Sequence, residues 1–362
     1  MRYPKFLKEN GTIGFIAPSF GAVIEPYNSL FINALKKFES MGYSVALGPN
    51  CFEDKGIGKS NTPEECAEEI NDYFMNDLSD IIISCGGGET MCEDLNYVDF
   101  EGIKEADPKW YMGYSDNTNL TFILPTLCDT AAIYGPCASN FGMEPWHESI
   151  QDAFDVLTGK NLKLHNYDKW ELNEKEVPEG ETPNLLEPYN CTENFELQYG
   201  GSAKVKEIGA GNELCKEGTA GEAAFSGRLI GGCLDCLQTL CGTKFDKVKE
   251  FNEKYKEDGI IWFIEACDLS TTAIRRAIWQ LDSAGWFENA KGFIIGRPRI
   301  MEPDGMGFDR FSAVEGVLQK YNVPILYDVD LGHLPPMMPL ISGAMADVKA
   351  KGNSLSINMR LE

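Results

Sequence analysis

Lys109-Trp110-Tyr111-Met112-Gly113-Tyr114-Ser115-Asp116-Asn117-Thr118 is a short apolar run that reaches a serine and then changes to a helical pattern. Trp110 to Tyr114 is aromatic or apolar, as in a buried strand, and Asp116, Asn117 and Thr118 are residue types that cap helices. The predicted helix then runs through Leu120, Ile123, Leu124 and Leu127. A serine wedged between a strand and a helix N-terminus exposes its hydroxyl beside free backbone N–H groups, which is the geometry acyl transfer needs. Asn117 stands where a G-x-S-x-G elbow has its last glycine, so a serine that merely caps the helix remains the competing reading.

Upstream, Thr12 to Pro18 reads as a buried strand, Tyr27 to Met41 as an amphipathic helix through Leu30, Ile32, Leu35 and Phe38, and Tyr43 to Leu47 as a second strand. Pro63 to Met75 is a further helix, and Asp80 to Cys85 a continuous apolar strand. Strands alternating with helices at this spacing predict a parallel sheet, with Ser115 at the carboxyl end of a strand, where open α/β sheets place their sites. Gly86-Gly87-Gly88 follows the Asp80 to Cys85 strand. A nucleotide loop is disfavoured, because neither G-x-G-x-x-G nor a following Gly-Lys-Ser/Thr is present. Two readings stay open: a tight turn, or backbone donors at Gly87 and Asp116 converging as an oxyanion hole if the two strands are neighbours.

Composition bounds the rest. At 362 residues and 43% hydrophobic content the chain is long enough for two globular domains. Its net charge of −24 argues against nucleic acid or an anionic membrane surface as a partner. No run of eighteen apolar residues and no signal-peptide core are present, so a cytoplasmic location is expected. The twelve cysteines are then expected as free thiols. Cys233, Cys236 and Cys241 make a poor zinc signature and read as packing, so no metal is expected.

A first domain is expected over 1–160, a polar connecting segment with Trp170, Tyr189 and Phe195 over 161–220, and a second, more strand-rich domain over 221–362. In that second part Ile260 to Glu265 is an apolar strand ending on a carboxylate, a candidate site group or a turn cap paired with Arg275 or Arg276. Of the three histidines, His333, in a Gly- and Pro-rich loop after a strand, is better placed for a general base than His147 or His165.

Ser115 in Gly-Tyr-Ser-Asp, Glu265 ending its strand and His333 in Gly-His together resemble the Ser-Glu-His triad of the LD-carboxypeptidase family of serine peptidases. Ala17-Pro18-Ser19, the glycines at 86–88, Tyr134-Gly135-Pro136, Gly231-Gly232 and Leu240-Cys241-Gly242-Thr243 fall in the family's order, so the resemblance spans most of the chain. It implies an α/β fold with a flavodoxin-like or Rossmann-like parallel-sheet N-terminal domain bearing the serine and a C-terminal swivelling β/α domain bearing Glu and His. It further implies no cofactor, metal included, a homodimer, and an amide hydrolase acting on murein-type peptides. Cys85 and Cys233 depart from the Arg and Asn that many members carry there. The long aromatic connection resembles the branch with microcin C self-immunity hydrolases, implying as alternative substrate a peptidyl- or aminoacyl-nucleotide, with Trp170 holding it. A free carboxylate on the substrate would need a cation, for which Arg228, Arg275, Arg297 and Arg299 are available, Arg228 being the candidate for substrate binding. A non-catalytic binding protein or interaction scaffold is the reading of another class.

Overall fold

The computed structural model describes residues 1–173, 182–203, 221–303, 306–307 and 309–362. Residues 174–181 and 204–220 of the expected connecting segment, with Pro178 to Glu181, lie outside the described residues.

Strands β1 (Thr12–Ile16), β2 (Ser44–Leu47), β3 (Ile81–Ser84), β4 (Trp110–Gly113) and β5 (Ala132–Tyr134) alternate with helices α1 (Tyr27–Ser40), α2 (Pro63–Met75), α3 (Phe100–Glu105), α4 (Thr118–Thr121) and α5 (Ile123–Cys128). They form a parallel sheet in the order β2-β1-β3-β4-β5, which is the flavodoxin-like winding. β3 and β4 are buried along their whole length, as continuous apolar runs must be when helices cover both faces. Thr62 starts α2 by accepting the Glu65 N–H, with Pro63 in the first turn, where a missing N–H costs nothing. α1 turns Phe31, Ala34 and Phe38 inward, and Ile32, expected on that face, is 38% exposed. The single helix expected after Ser115 is instead a 3₁₀ turn over Ser115–Asn117, then α4 and α5 with a break at Phe122. Pro125 explains the break, since it has no N–H to offer the carbonyl four residues back.

The rest of the chain adds α6 (Glu148–Leu157), β6 (Lys163–His165), β7 (Lys169–Trp170), β8 (Glu193–Asn194), β9 (Gln198–Gly201), β10 (Glu222–Cys233) and α7 (Leu234–Leu240). There follow α8 (Val248–Lys254), β11 (Ile260–Glu265), α9 (Thr271–Ser283), β12 (Ala290–Gly296), α10 (Arg310–Leu318), β13 (Pro324–Val329), β14 (Leu340–Ser342), β15 (Met345–Lys351) and β16 (Ser354–Arg360). The second sheet runs β6-β16-β15-β10-β11-β12-β13-β9, parallel from β10 to β13 and antiparallel on both flanks. Its two edges come from the segment expected as a connection. β14 leaves this sheet and joins the first, antiparallel to β5 with Leu340 opposite Tyr134. Residues 330–339 therefore form a strap from the second sheet to the first.

The fold is thus the expected α/β arrangement, a parallel-sheet N-terminal part followed by a further β/α part. The eleven cysteines among the described residues are free thiols, and no helix among them is long and apolar enough to cross a membrane.

Candidate active site

Ser115 ends the turn after β4 with φ +62, a left-handed backbone that a non-glycine residue adopts at a cost of about 1–3 kcal/mol. Neighbouring groups hold it there. Its N–H donates to the Tyr134 hydroxyl at 3.2 Å, while the Asn117 amide donates to the carbonyls of Gly86 at 2.9 Å and Tyr114 at 3.0 Å. β3 and β4 are neighbours, so the glycine run after β3 arrives beside the serine. A Cβ added to Gly87 would lie 3.3 Å from the Ser115 hydroxyl, and the Gly87 N–H has no hydrogen-bond partner among the described residues. The Asp116 carboxylate points away from this spot. It accepts from Ser19 Oγ at 2.6 Å, the Met91 N–H at 3.0 Å and the Asn119 amide at 3.0 Å, and burial pushes its carboxyl above the usual value.

The second sheet brings the other groups. Glu265 ends β11 fully buried, and His333 lies on the strap. His333 Nε2 is 2.8 Å from Ser115 Oγ, and His333 Nδ1 is 2.8 Å from Glu265 Oε2. Two glycines permit this approach. Gly332 has φ +105, and a Cβ there would fall 2.6 Å from Glu265 Oε2. Gly232, at φ +146, lets β10 reach α4, where a Cβ would fall 2.6 Å from the Thr118 methyl. The Cys233 N–H donates to the Thr118 hydroxyl at 3.0 Å, closing the seam between the halves. Burial would raise the Glu265 carboxyl, but the His333 charge and the Tyr134 hydroxyl outweigh it and hold the group below its usual value. Burial would lower His333, and the Glu265 charge overrides it, keeping the imidazole well above its ordinary value.

Two neighbours were not among the expected site residues. Tyr134, at the carboxyl end of β5, donates to Glu265 Oε1 at 2.5 Å while receiving the Ser115 N–H, so one hydroxyl joins Ser115 to Glu265. Its position at the carboxyl end of the next strand was the available signal. Cys233, read from sequence as packing, presents its sulfur within 4.8 Å of ligand atoms on both Glu265 and His333.

Other candidates lie elsewhere. Arg228 is corrected as a substrate contact: it sits opposite Ile260 at the start of β11, five residues from the Cys233–Glu265 end. There its guanidinium is consumed by Asp258 at 2.5 Å, the Tyr3 hydroxyl and the Gly343 carbonyl. Trp170 does not line the cavity at Ser115. Its indole N–H donates to the Asn194 carbonyl, its ring faces the Arg297 guanidinium at 4.8 Å, and together they line a separate cavity of about 470 Å³. Asp330 is spent on Arg297 and the Tyr167 N–H, and His147 caps α6. The cavity beside Ser115, about 160 Å³, is walled by Gly88, Glu89, Cys233, Asp235, Cys267 and Asp268 among others, and no Arg or Lys among the described residues lines it.

Two family models match this chain: the LD-carboxypeptidase N-terminal domain over residues 13–135 and the LD-carboxypeptidase C-terminal domain over 226–348. The microcin C7 self-immunity protein MccF of Escherichia coli is 25% identical over 357 residues, covering 96% of this chain and 92% of its own. A Vibrio cholerae protein named as a carboxypeptidase is 24% identical over 99% of this chain and 98% of its own. Among solved structures, MccF in complex with aspartyl sulfamoyl adenosine superposes with a TM-score of 0.75 at 22% identity, over 99% of this chain and 98% of the other. A muramoyltetrapeptide carboxypeptidase from Oxalobacter formigenes gives 0.66 at 18% identity, over 96% and 98%. At these identities the structures speak for the fold.

Proposed function

The chain belongs to the LD-carboxypeptidase family of serine peptidases, and on that premise we propose that Ser115, His333 and Glu265 are its catalytic triad. The observation that carries this reading is the unbroken hydrogen-bonded line from Ser115 Oγ through the His333 ring to Glu265, starting at a serine with strained backbone. His333 Nε2 takes the hydroxyl proton as Ser115 attacks an amide carbonyl, and returns it to the leaving amine. Glu265 fixes the tautomer with the proton on Nδ1 and stabilises the imidazolium. The N–H groups of Gly87 and Asp116 receive the developing oxyanion, each worth on the order of 3 kcal/mol. Water, activated by the same imidazole, then releases the acyl group.

For the substrate we favour an aminoacyl- or peptidyl-nucleotide amide over a murein peptide. A murein tetrapeptide carries a free carboxylate that calls for a cation, and the cavity at Ser115 has none in its wall among the described residues. Arg228, Arg275 and Arg297 are held by Asp258, the Ser312 carbonyl and Asp330 respectively, and Arg299, outside the cavity wall, meets Asp268 and Cys267 of that wall. The full-length match to MccF, solved with an aminoacyl sulfamoyl nucleoside, supports the same choice. A location in the cytoplasm, resting on the lack of a long apolar run in the sequence, and assembly as a homodimer, resting on the family resemblance, complete the proposal.

Fluorophosphonate labelling tests the nucleophile: native protein is expected to label and Ser115→Ala to stay unlabelled, inactive and folded by circular dichroism. Equal turnover in Ser115→Ala would refute the assignment. Assaying a tetrapeptide against a set of aminoacyl sulfamoyl nucleosides tests the substrate, and hydrolysis of the tetrapeptide alone would reverse the preference.

A further inference from the structure

Three ligand atoms of different chemistry meet at the seam between the halves. The Cys233 sulfur, a Glu265 carboxylate oxygen and a His333 ring nitrogen all lie within 4.8 Å of one another. Cys233 and Glu265 are fixed opposite each other by the β10–β11 register, so two of the three are set by backbone pairing. The third rides on the strap, whose glycine at 332 presses against Glu265. A second thiol, Cys267, interacts with the His333 ring and shares with Cys233 the wall of the cavity at Ser115, which gives an ion a way in. Sulfur, imidazole and carboxylate together suit a borderline-soft divalent cation such as zinc rather than magnesium or calcium.

We propose that Cys233, His333 and Glu265 form an inhibitory site for a zinc-class divalent cation, one that switches the hydrolase off rather than serving it. The inhibitory half of this statement rests on the triad reading above; the binding half does not. On binding, Cys233 gives up its proton to solvent and ligates as thiolate, the carboxylate of Glu265 supplies oxygen, and His333 ligates as the neutral ring. Either ring nitrogen gives the same outcome. An ion on Nε2 uses the lone pair that Ser115 needs. An ion on Nδ1 forces the remaining proton onto Nε2, which then donates to Ser115 and cannot accept from it. The metal thus competes with catalysis through tautomer chemistry, with no need to fill the substrate cavity.

Two readouts test the proposal separately. In Ser115→Ala protein, which requires no activity, cobalt(II) is expected to give the intense ultraviolet absorption of a thiolate-bound ion, and Cys233→Ser in that background to abolish it. In active protein, zinc is expected to inhibit reversibly, with EDTA restoring the rate. Cys233→Ser and Cys233→Ala, each compared with its own metal-free rate, are expected to weaken inhibition by roughly tenfold or more, since loss even of an outer-sphere partner costs that much affinity. No cobalt–thiolate absorption, a band that survives Cys233→Ser, or inhibition unchanged in both variants overturns the metal site. A protein that fails to label or hydrolyse overturns the triad reading instead, while cobalt binding still decides whether the ion is held.

Discussion

Glu265, across the seam from the proposed base, and Asp330, three residues before it, are both buried carboxylates, yet their surroundings assign them different work. Glu265 faces His333 Nδ1, while Asp330 is committed to Arg297 and the Tyr167 N–H. Glu265→Gln is therefore expected to lower kcat by roughly 10³ to 10⁴-fold with little change in binding, as for an orienting triad carboxylate. A near-normal kcat in Glu265→Gln, with loss in Asp330→Asn, would move the orienting role to Asp330. The same pair sets the pH dependence. The proposed mechanism needs His333 neutral before attack, and the facing carboxylate holds its pKa well above 6.5. The rate kcat/KM is expected to rise with pH along a limb whose midpoint lies above 6.5, and Glu265→Gln to move any residual limb to lower pH, because the charge that chiefly opposes burial is then gone. A limb at the same pH in both proteins would mean that another group titrates.

At the scale of elements, the sequence disclosed the strands and helices but not all of their trajectories. The β1 to β4 strands and α2 were legible because period, caps and turn residues agree within each short segment. The break at Phe122 was hidden because the apolar pattern on either side of Pro125 hides the missing hydrogen bond. β14 was invisible because its partner, β5, lies some two hundred residues upstream, and only pairing across the molecule makes it a strand. Ser115 and Glu265 were legible as residues at strand ends and His333 as a loop residue after a strand, whereas the place of Arg228 along β10 depends on register with β11. The strap gives this scale its test. Gly332→Ala would place a methyl at φ +105 against the Glu265 carboxylate. It is expected to destabilise the fold by about 1–3 kcal/mol in urea titrations and to remove most activity. An unchanged midpoint together with full activity would show that the strap yields to accommodate it.

Across the whole molecule, buried carboxyls tie stability to pH. Glu69 on α2 accepts the N–H groups of Ala17 and Asn50 beyond β1 and β2, and burial pushes its carboxyl up to about 7. Between pH 4.5 and 7 the native state keeps a proton there that the unfolded chain has lost. This contribution is full below pH 4.5 and disappears as pH rises to 7, by at most about 3 kcal/mol. Glu69→Gln is expected to be less stable overall, and to show a flatter decline across that window in denaturation midpoints measured at stepped pH; a slope equal to the native one would exclude Glu69 as its source. Glu265, held below its usual value, acts in the opposite sense and withdraws stability as pH falls. The strap at 330–339 has a larger consequence, because the chain leaves the second sheet at β13, lends β14 to the first, and returns as β15. For heredity, the two halves are not interchangeable parts. An exchange of genetic material at the polar connection would join the serine and β5 of one parent to the proposed base and β14 of the other, so a descendant keeps a fitted seam only where the two parents' halves match each other.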